Sequence, residues 1–230
     1  MENTSSSVSR LGYWSGVAAG LLAVAYVLAQ VAEWVGLFGS LGGPASASTP
    51  LGLVVLLAPS LLLAPAFAVL MVSLHHHVPA ERRVWTHAAV VFATVYAVLV
   101  GLTYYVQLTF VVPNLLRGEP AGLEPFLFVP FDSFLYSVDL LGYSFMSLAT
   151  LFAAAALAGP GIERTARLFL TANGLLLPFL ALQIYYPPLI WPAALWAVTF
   201  PGAALSLAAL FRRDLQRATG TTVGAGDTPL

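Results

Sequence analysis

The stretch LGLVVLLAPSLLLAPAFAVLMVSLHHHVPAERRVWTH at 51–87 decides the fold. Its first part, 51–74, carries no charged residue, and roughly 20 consecutive apolar residues suffice for one helix to cross a bilayer. The run ends in three histidines, a proline turn and two arginines, and a second apolar run starts at His87. An uncharged run that stops at arginines is the pattern of a helix leaving a membrane on the side where arginine collects.

The same pattern repeats outward in both directions. Of the 230 residues, 59% are hydrophobic and 8% charged, against about 25% charged in an ordinary soluble domain. Apolar runs separated by charged or Pro/Gly-rich breaks give six spans, at about 12–37, 51–74, 87–112, 133–158, 166–186 and 189–211. The predicted class is therefore all-α, a polytopic transmembrane helix bundle in one domain over 1–230. Short polar tails are expected at about 1–10 and 218–230. A β-barrel is not expected, because its strands would alternate polar and apolar over about ten residues. Ala45-Ser46-Ala47 has the look of a cleavage site, but the run before it is far longer than the roughly 7–15 residues of a signal sequence. The first span is expected to be retained.

Six spans place Arg10, Arg82, Arg83, Arg164, Arg167, Arg212, Arg213 and Arg217 on one side and Arg117 alone on the other. The positive-inside rule then puts both termini in the cytoplasm, in a cytoplasmic membrane. Trp14 and Trp85 fall at the cytoplasmic ends of spans. Trp34, Trp191, Tyr104, Tyr105, Tyr185 and Tyr186 fall toward the outer ends, where amphipathic rings favour the headgroup layer. With a net charge of −1, no nucleic-acid partner is expected. Cysteine is absent and all nine basic residues are arginine, which excludes disulfides, thiolate chemistry and lysine Schiff bases.

The four histidines all lie at 75–87. Adjacent residues on a helix point about 100° apart, so His75, His76 and His77 cannot converge on one ion. The best pair, His77 with His87, lacks a secure third ligand, and no metal or cofactor is expected. Gly12, Gly16 and Gly20 form a small-residue ridge on span 1. It serves packing inside the bundle, with a homodimer interface as the alternative. Pro59 and Pro65 in span 2 and Pro178 in span 5 would be paired breaks if the chain were two inverted halves.

The chemistry is expected toward the outer side. Glu33 lies near the outer end of span 1 and Asp139 about two turns inside span 4. Charged groups within spans are expensive and usually face the bundle interior or water. Asp132, Tyr136, Asp139 and Tyr143 follow at helical spacing, as do Thr103, Gln107 and Asn114 on span 3. Gln30 and Gln183 fall at similar depth. No basic residue within the spans neutralises Asp139, so it must be protonated, hydrogen-bonded, hydrated or reached by Arg117. The expectation is that Gln107 and tyrosine hydroxyls hold it. The cluster is either a ligand or proton site, or interhelical glue. The apolar LEPFLFVPF within the 113–132 loop is expected to lie at the membrane surface or fold over the bundle mouth.

The stretch 103–152 resembles a group of prokaryotic six-helix integral membrane proteins without assigned activity. In them an aromatic-Gln-Leu-Thr ends one helix, and after a loop the next helix carries an acid-x-Leu-Gly-Tyr pattern. Here these are Tyr105, Gln107, Leu108 and Thr109, then Asp139, Leu141, Gly142 and Tyr143. The resemblance implies a six-helix membrane fold and singles out Gln107 and Asp139, without a role for either.

The sequence thus favours a non-enzymatic binding or transport-like protein for a small or amphiphilic ligand. The alternatives are a membrane enzyme using Asp139 or Glu33 as acid–base on a lipid or isoprenoid, and a structural or partner-binding subunit.

Overall fold

The computed structural model describes residues 2–223, with side chains for 6–217. The helices are α1 (Glu2–Trp34), α2 (Pro50–His77), α3 (Arg83–Val106), α4 (Val112–Leu116), α5 (Phe134–Ala156), α6 (Ile162–Gly174), α7 (Leu177–Leu182), α8 (Ile190–Ala193) and α9 (Trp196–Val223). No strand occurs among the described residues. Six helical stretches among them are long and apolar enough to cross a membrane: Ser6–Trp34, Pro50–His77, Ala80–Leu116, Phe134–Ala156, Ile162–Leu182 and Pro187–Arg217. Within the expected polar tails, 2–10 continue α1 and 218–223 continue α9. The expected tail beyond 223 lies outside the described residues.

Proline explains where these stretches depart from simple helix. A proline inside a helix removes a donor and its ring meets the carbonyl four residues back. Pro113 would meet the carbonyl of Thr109, and there the chain takes a π-helical turn over Gln107–Val111, with Val112 N–H donating to Gln107 O. Pro178 would meet the carbonyl of Gly174, and α6 ends at that residue. The proline then sits in the first turn of α7, where its missing donor costs nothing. Pro59 and Pro65, by contrast, lie inside an uninterrupted α2. The paired breaks of two inverted halves are therefore not seen: α2 is continuous, while the fifth and sixth spans are both interrupted.

Each spanning unit packs on its sequence neighbour, in the order α1, α2, α3, α5, α6, α9, and α9 closes the ring on α1. The glycine ridge makes that closure. A Cβ on Gly12 would stand 2.5 Å from the Phe211 ring, one on Gly16 3.0 Å from Ala208 Cβ, and one on Gly20 2.6 Å from Leu205 Cδ2. The ridge packs on α9 of the same chain. Outward, the ring presents Leu21, Leu28, Leu62, Val98, Leu102, Leu168 and Leu175, an apolar belt suited to hydrocarbon surroundings.

Inside, the ring is filled at mid-height by a closed circuit of five aromatic rings. Phe67 of α2 meets Tyr96 of α3 at 5.8 Å, and Tyr96 meets Tyr143 of α5 at 5.6 Å. Tyr143 meets Trp196 of α9 at 5.6 Å, Trp196 stacks on Phe200 at 5.2 Å, and Phe200 returns to Phe67 at 5.3 Å. Edge-to-face and offset contacts of this kind contribute about 0.5–1.5 kcal/mol each beyond area burial.

The arginine-bearing end is tied by polar contacts. Arg82 donates to Ala156 O and Arg167 to Leu157 O. His77 pairs with Asp214 at 3.2 Å, and Arg213 with Glu163 at 3.7 Å. Deeper in the core, Asn173 donates to Thr150 and accepts from Thr199, joining α6 to α5 and α9.

Candidate functional site

At the end of the ring opposite the arginines, a cavity of about 190 Å³ lies among α1, α5, α7, α8 and the start of α9. Its walls include Glu33 and Asp139, both almost fully buried at 3% and 5% exposure. The segments around Gly43–Ser48 and Phe128–Pro130 border it. Half-buried Gln30, Ile190 and Ala194 and exposed Val31 mark where it reaches the surface beside α1. Trp34 and Trp191 meet across that side at 5.7 Å.

Each acid is held by local structure. Asp139 sits on α5, whose N-cap Ser133 accepts from Tyr136 N–H. Gly142, one turn on, lets α5 approach α3, since a Cβ there would stand 2.6 Å from Val100 Cγ2. That approach brings Tyr104 of α3 to Tyr143, with the Tyr104 hydroxyl donating to the Tyr143 hydroxyl at 3.2 Å. The Tyr104 hydroxyl also lies beside the Asp139 carboxyl. Tyr26, Tyr96 and Tyr136 lie within electrostatic reach of the same carboxyl. Glu33 lies against the first turn of α2, where a Cβ on Gly52 would stand 2.5 Å from Glu33 Oε2. A helix N-terminus is a favourable seat for a carboxyl group.

Neither oxygen of Glu33 has a hydrogen-bond partner among the described residues, and neither does Asp139 Oδ1. No arginine or histidine is among the described residues that line the cavity. A buried carboxyl without donor or counter-charge is costly, so these groups stand out from ordinary core polarity.

The structure brings together Glu33, Tyr136, Asp139, Tyr143, Gln30 and Gln183 at this cavity. It places the other candidates elsewhere. Gln107 is fully buried, but its side-chain amide donates to Phe126 O rather than holding Asp139. The backbone of a loop folded on an apolar surface needs such a donor. Thr103 is fully buried and does not line the cavity, and Asn114 donates to Phe110 O. Arg117 does not reach Asp139 either. It is exposed, pairs with Glu119 at 3.0 Å and donates to Asn114 Oδ1 at 2.7 Å. Asp132 precedes α5 and is exposed. At the opposite end His77 goes to Asp214, while His87 faces His75 at 5.8 Å, so His77 and His87 do not form a pair. No three His, Asp or Glu side chains converge as metal ligands among the described residues.

Three contributors escape a reading by composition. Tyr26 donates to Gln30 Oε1 at 3.1 Å, and its place one turn before Gln30 and two before Glu33 was a usable signal. Trp196 forms part of the wall and Gly52 seats Glu33, but nothing in their sequence surroundings marks either. The 113–132 loop does fold over this end. Leu123 is buried, and the Phe128 ring meets Tyr104 at 6.4 Å and Tyr136 at 5.5 Å.

No family model, curated protein or solved structure matches the chain.

Proposed function

We propose that the chain is a multi-pass protein of the cytoplasmic membrane that binds a small ligand in the cavity around Glu33 and Asp139. Both termini and the arginine-rich end lie in the cytoplasm, and the cavity serves the outer side. The grouping of eight arginines at one end supports the orientation.

The observation that carries the binding reading is the pair of buried carboxyl groups with unpartnered oxygens on an aromatic wall. Interhelical glue would be hydrogen-bonded, as Asn173 is to Thr150 and Thr199. Glu33 is not. Intramembrane acids that face a cavity mark ligand or ion sites by default. Below the cavity the five aromatic rings close the centre of the bundle, so passage to the cytoplasmic end would require them to part. This favours binding over an open pore.

Native mass spectrometry of the protein purified in mild detergent tests the proposal. A retained small molecule is expected with the wild type and is lost in Asp139→Asn and Glu33→Gln. A wild type with no bound mass, together with unchanged cell phenotype in both variants, would sink it.

A further inference from the structure

The cavity wall is distinguished by buried carboxyl oxygens that have no partner, and these specify the ligand. The Tyr26 and Tyr136 hydroxyls donate to Gln30 Oε1 at 3.1 Å and Gln183 Oε1 at 3.3 Å. The Trp196 indole N–H is directed at Met146 Sδ, 3.3 Å away. These donors and both amide oxygens are thus engaged within the protein. The buried atoms of the wall that have no partner are carboxyl oxygens: Glu33 Oε1 and Oε2, and Asp139 Oδ1. With no basic residue on the described wall, two buried acids ask for a ligand that brings positive charge or donors.

We infer that the ligand is a compact substituted ammonium cation, with Glu33 and Asp139 as its counter-charges and the rings of Tyr26, Tyr136, Tyr143 and Trp196 as its walls. The inference rests on the cavity being a ligand site. An anion would face two acids with no basic residue on the described wall. A hard metal ion wants six or more oxygen ligands, more than three open carboxyl oxygens supply. An alkylammonium group asks for less, because it is stabilised by the faces of aromatic rings as well as by carboxylates, and more so when desolvated. Apolar Leu56, Leu140 and Leu180 on the wall suit its carbon substituents, and about 190 Å³ limits it to a small head. The head can belong to a free amine or to a lipid headgroup, since the chemistry recognised is the same.

The test titrates choline, tetramethylammonium and choline's neutral tert-butyl isostere into the full-length protein in phosphatidylglycerol nanodiscs, read by tryptophan fluorescence and calorimetry. Saturable binding of a cation is expected, with the neutral isostere weaker by roughly tenfold or more. Asp139→Asn and Glu33→Gln are each expected to narrow that gap. Nanodiscs containing phosphatidylcholine separate the sources: a roughly tenfold loss of apparent choline affinity identifies a lipid headgroup, and unchanged affinity a free amine. Equal binding of isostere and choline would overturn the cationic ligand and leave the binding reading standing. Saturation by sodium or magnesium chloride that displaces choline would overturn the substituted ammonium in favour of a metal cation, and would also leave the binding reading standing. Failure of every probe, with no small molecule retained by the purified protein, would remove both readings.

Discussion

The Tyr104 hydroxyl donates to the Tyr143 hydroxyl at 3.2 Å, joining α3 to α5 beside the carboxyl of Asp139. Both side chains are buried, and Tyr143 is also one of the five rings that close the centre of the bundle. Removing either hydroxyl deletes the bond and keeps the rings. Tyr104→Phe and Tyr143→Phe should each cost about 0.5–1.5 kcal/mol. Their coupling in a double-mutant cycle should be about 0.6 kcal/mol, the average for interhelical hydrogen bonds in membranes. Unfolding equilibria in bicelles measure it, and strictly additive losses would show that the bond contributes nothing.

Gly142 sets how closely α3 and α5 approach, because a Cβ there would meet Val100 Cγ2 at 2.6 Å. Gly142→Ala should destabilise by about 1–3 kcal/mol through overpacking. Val100→Ala removes the opposing methyl groups, so the double variant should regain part of that loss relative to Gly142→Ala alone. Thermal unfolding of the three variants reads this directly, and a double variant with the sum of both losses contradicts it.

Gly52 holds no ligand and lies outside the cavity wall, yet its missing side chain is what lets the Glu33 carboxyl rest on α2. Gly52→Ala should therefore behave like Glu33→Gln in ligand binding, at a stability cost of no more than about 1–3 kcal/mol. Gly52→Ala with wild-type affinity would mean that Glu33 needs no fixed seat.

The spans and the two acids were readable because their signals are local. An apolar run, an arginine after it and a lone acid inside it each show in a short window of sequence. Partners were harder. Tyr104 and Tyr105 sit at the same depth, and by depth alone both belong to the headgroup layer. About 100° of helical turn separates them, so Tyr104 is buried and Tyr105 is 59% exposed. The glycine ridge announced a close contact without naming α9 as the other side. Trp196 joins the site only because α9 closes the ring on α1, a long-range event that no neighbouring residue encodes. Gln107 was singled out correctly as buried and polar, but its acceptor is a backbone carbonyl in a loop, and carbonyls carry no sequence label.

That misassigned glutamine makes its own prediction. Gln107 donates to Phe126 O and so fastens the loop over the cavity, while Phe131 in the same loop holds a strained left-handed backbone with φ 64° and packs its ring on Tyr136 at 5.4 Å. Gln107→Leu removes the tether and keeps the volume. Faster amide exchange is expected across 117–133, with α5 and α9 unchanged. Uniform exchange across the chain would mean a global loss of stability, and no change anywhere would mean that the aromatic contacts alone hold the loop.

The orientation is open to a direct experiment because the chain contains no cysteine. Ala121, in the loop over the cavity, and Ala158, between α5 and α6 at the arginine-bearing end, are both exposed. A cysteine at either site replaces a small solvent-facing side chain and should change stability by less than about 0.5 kcal/mol. With the arginines inside, a membrane-impermeant maleimide should label Ala121→Cys in intact cells and Ala158→Cys only after permeabilisation. The reverse result would turn the cavity toward the cytoplasm. It would also assign eight of the nine arginines to the outer face, against the bias that governs short loops. Labelling of both sites in intact cells would be inconsistent with an odd number of spans, since α5 alone separates the two positions.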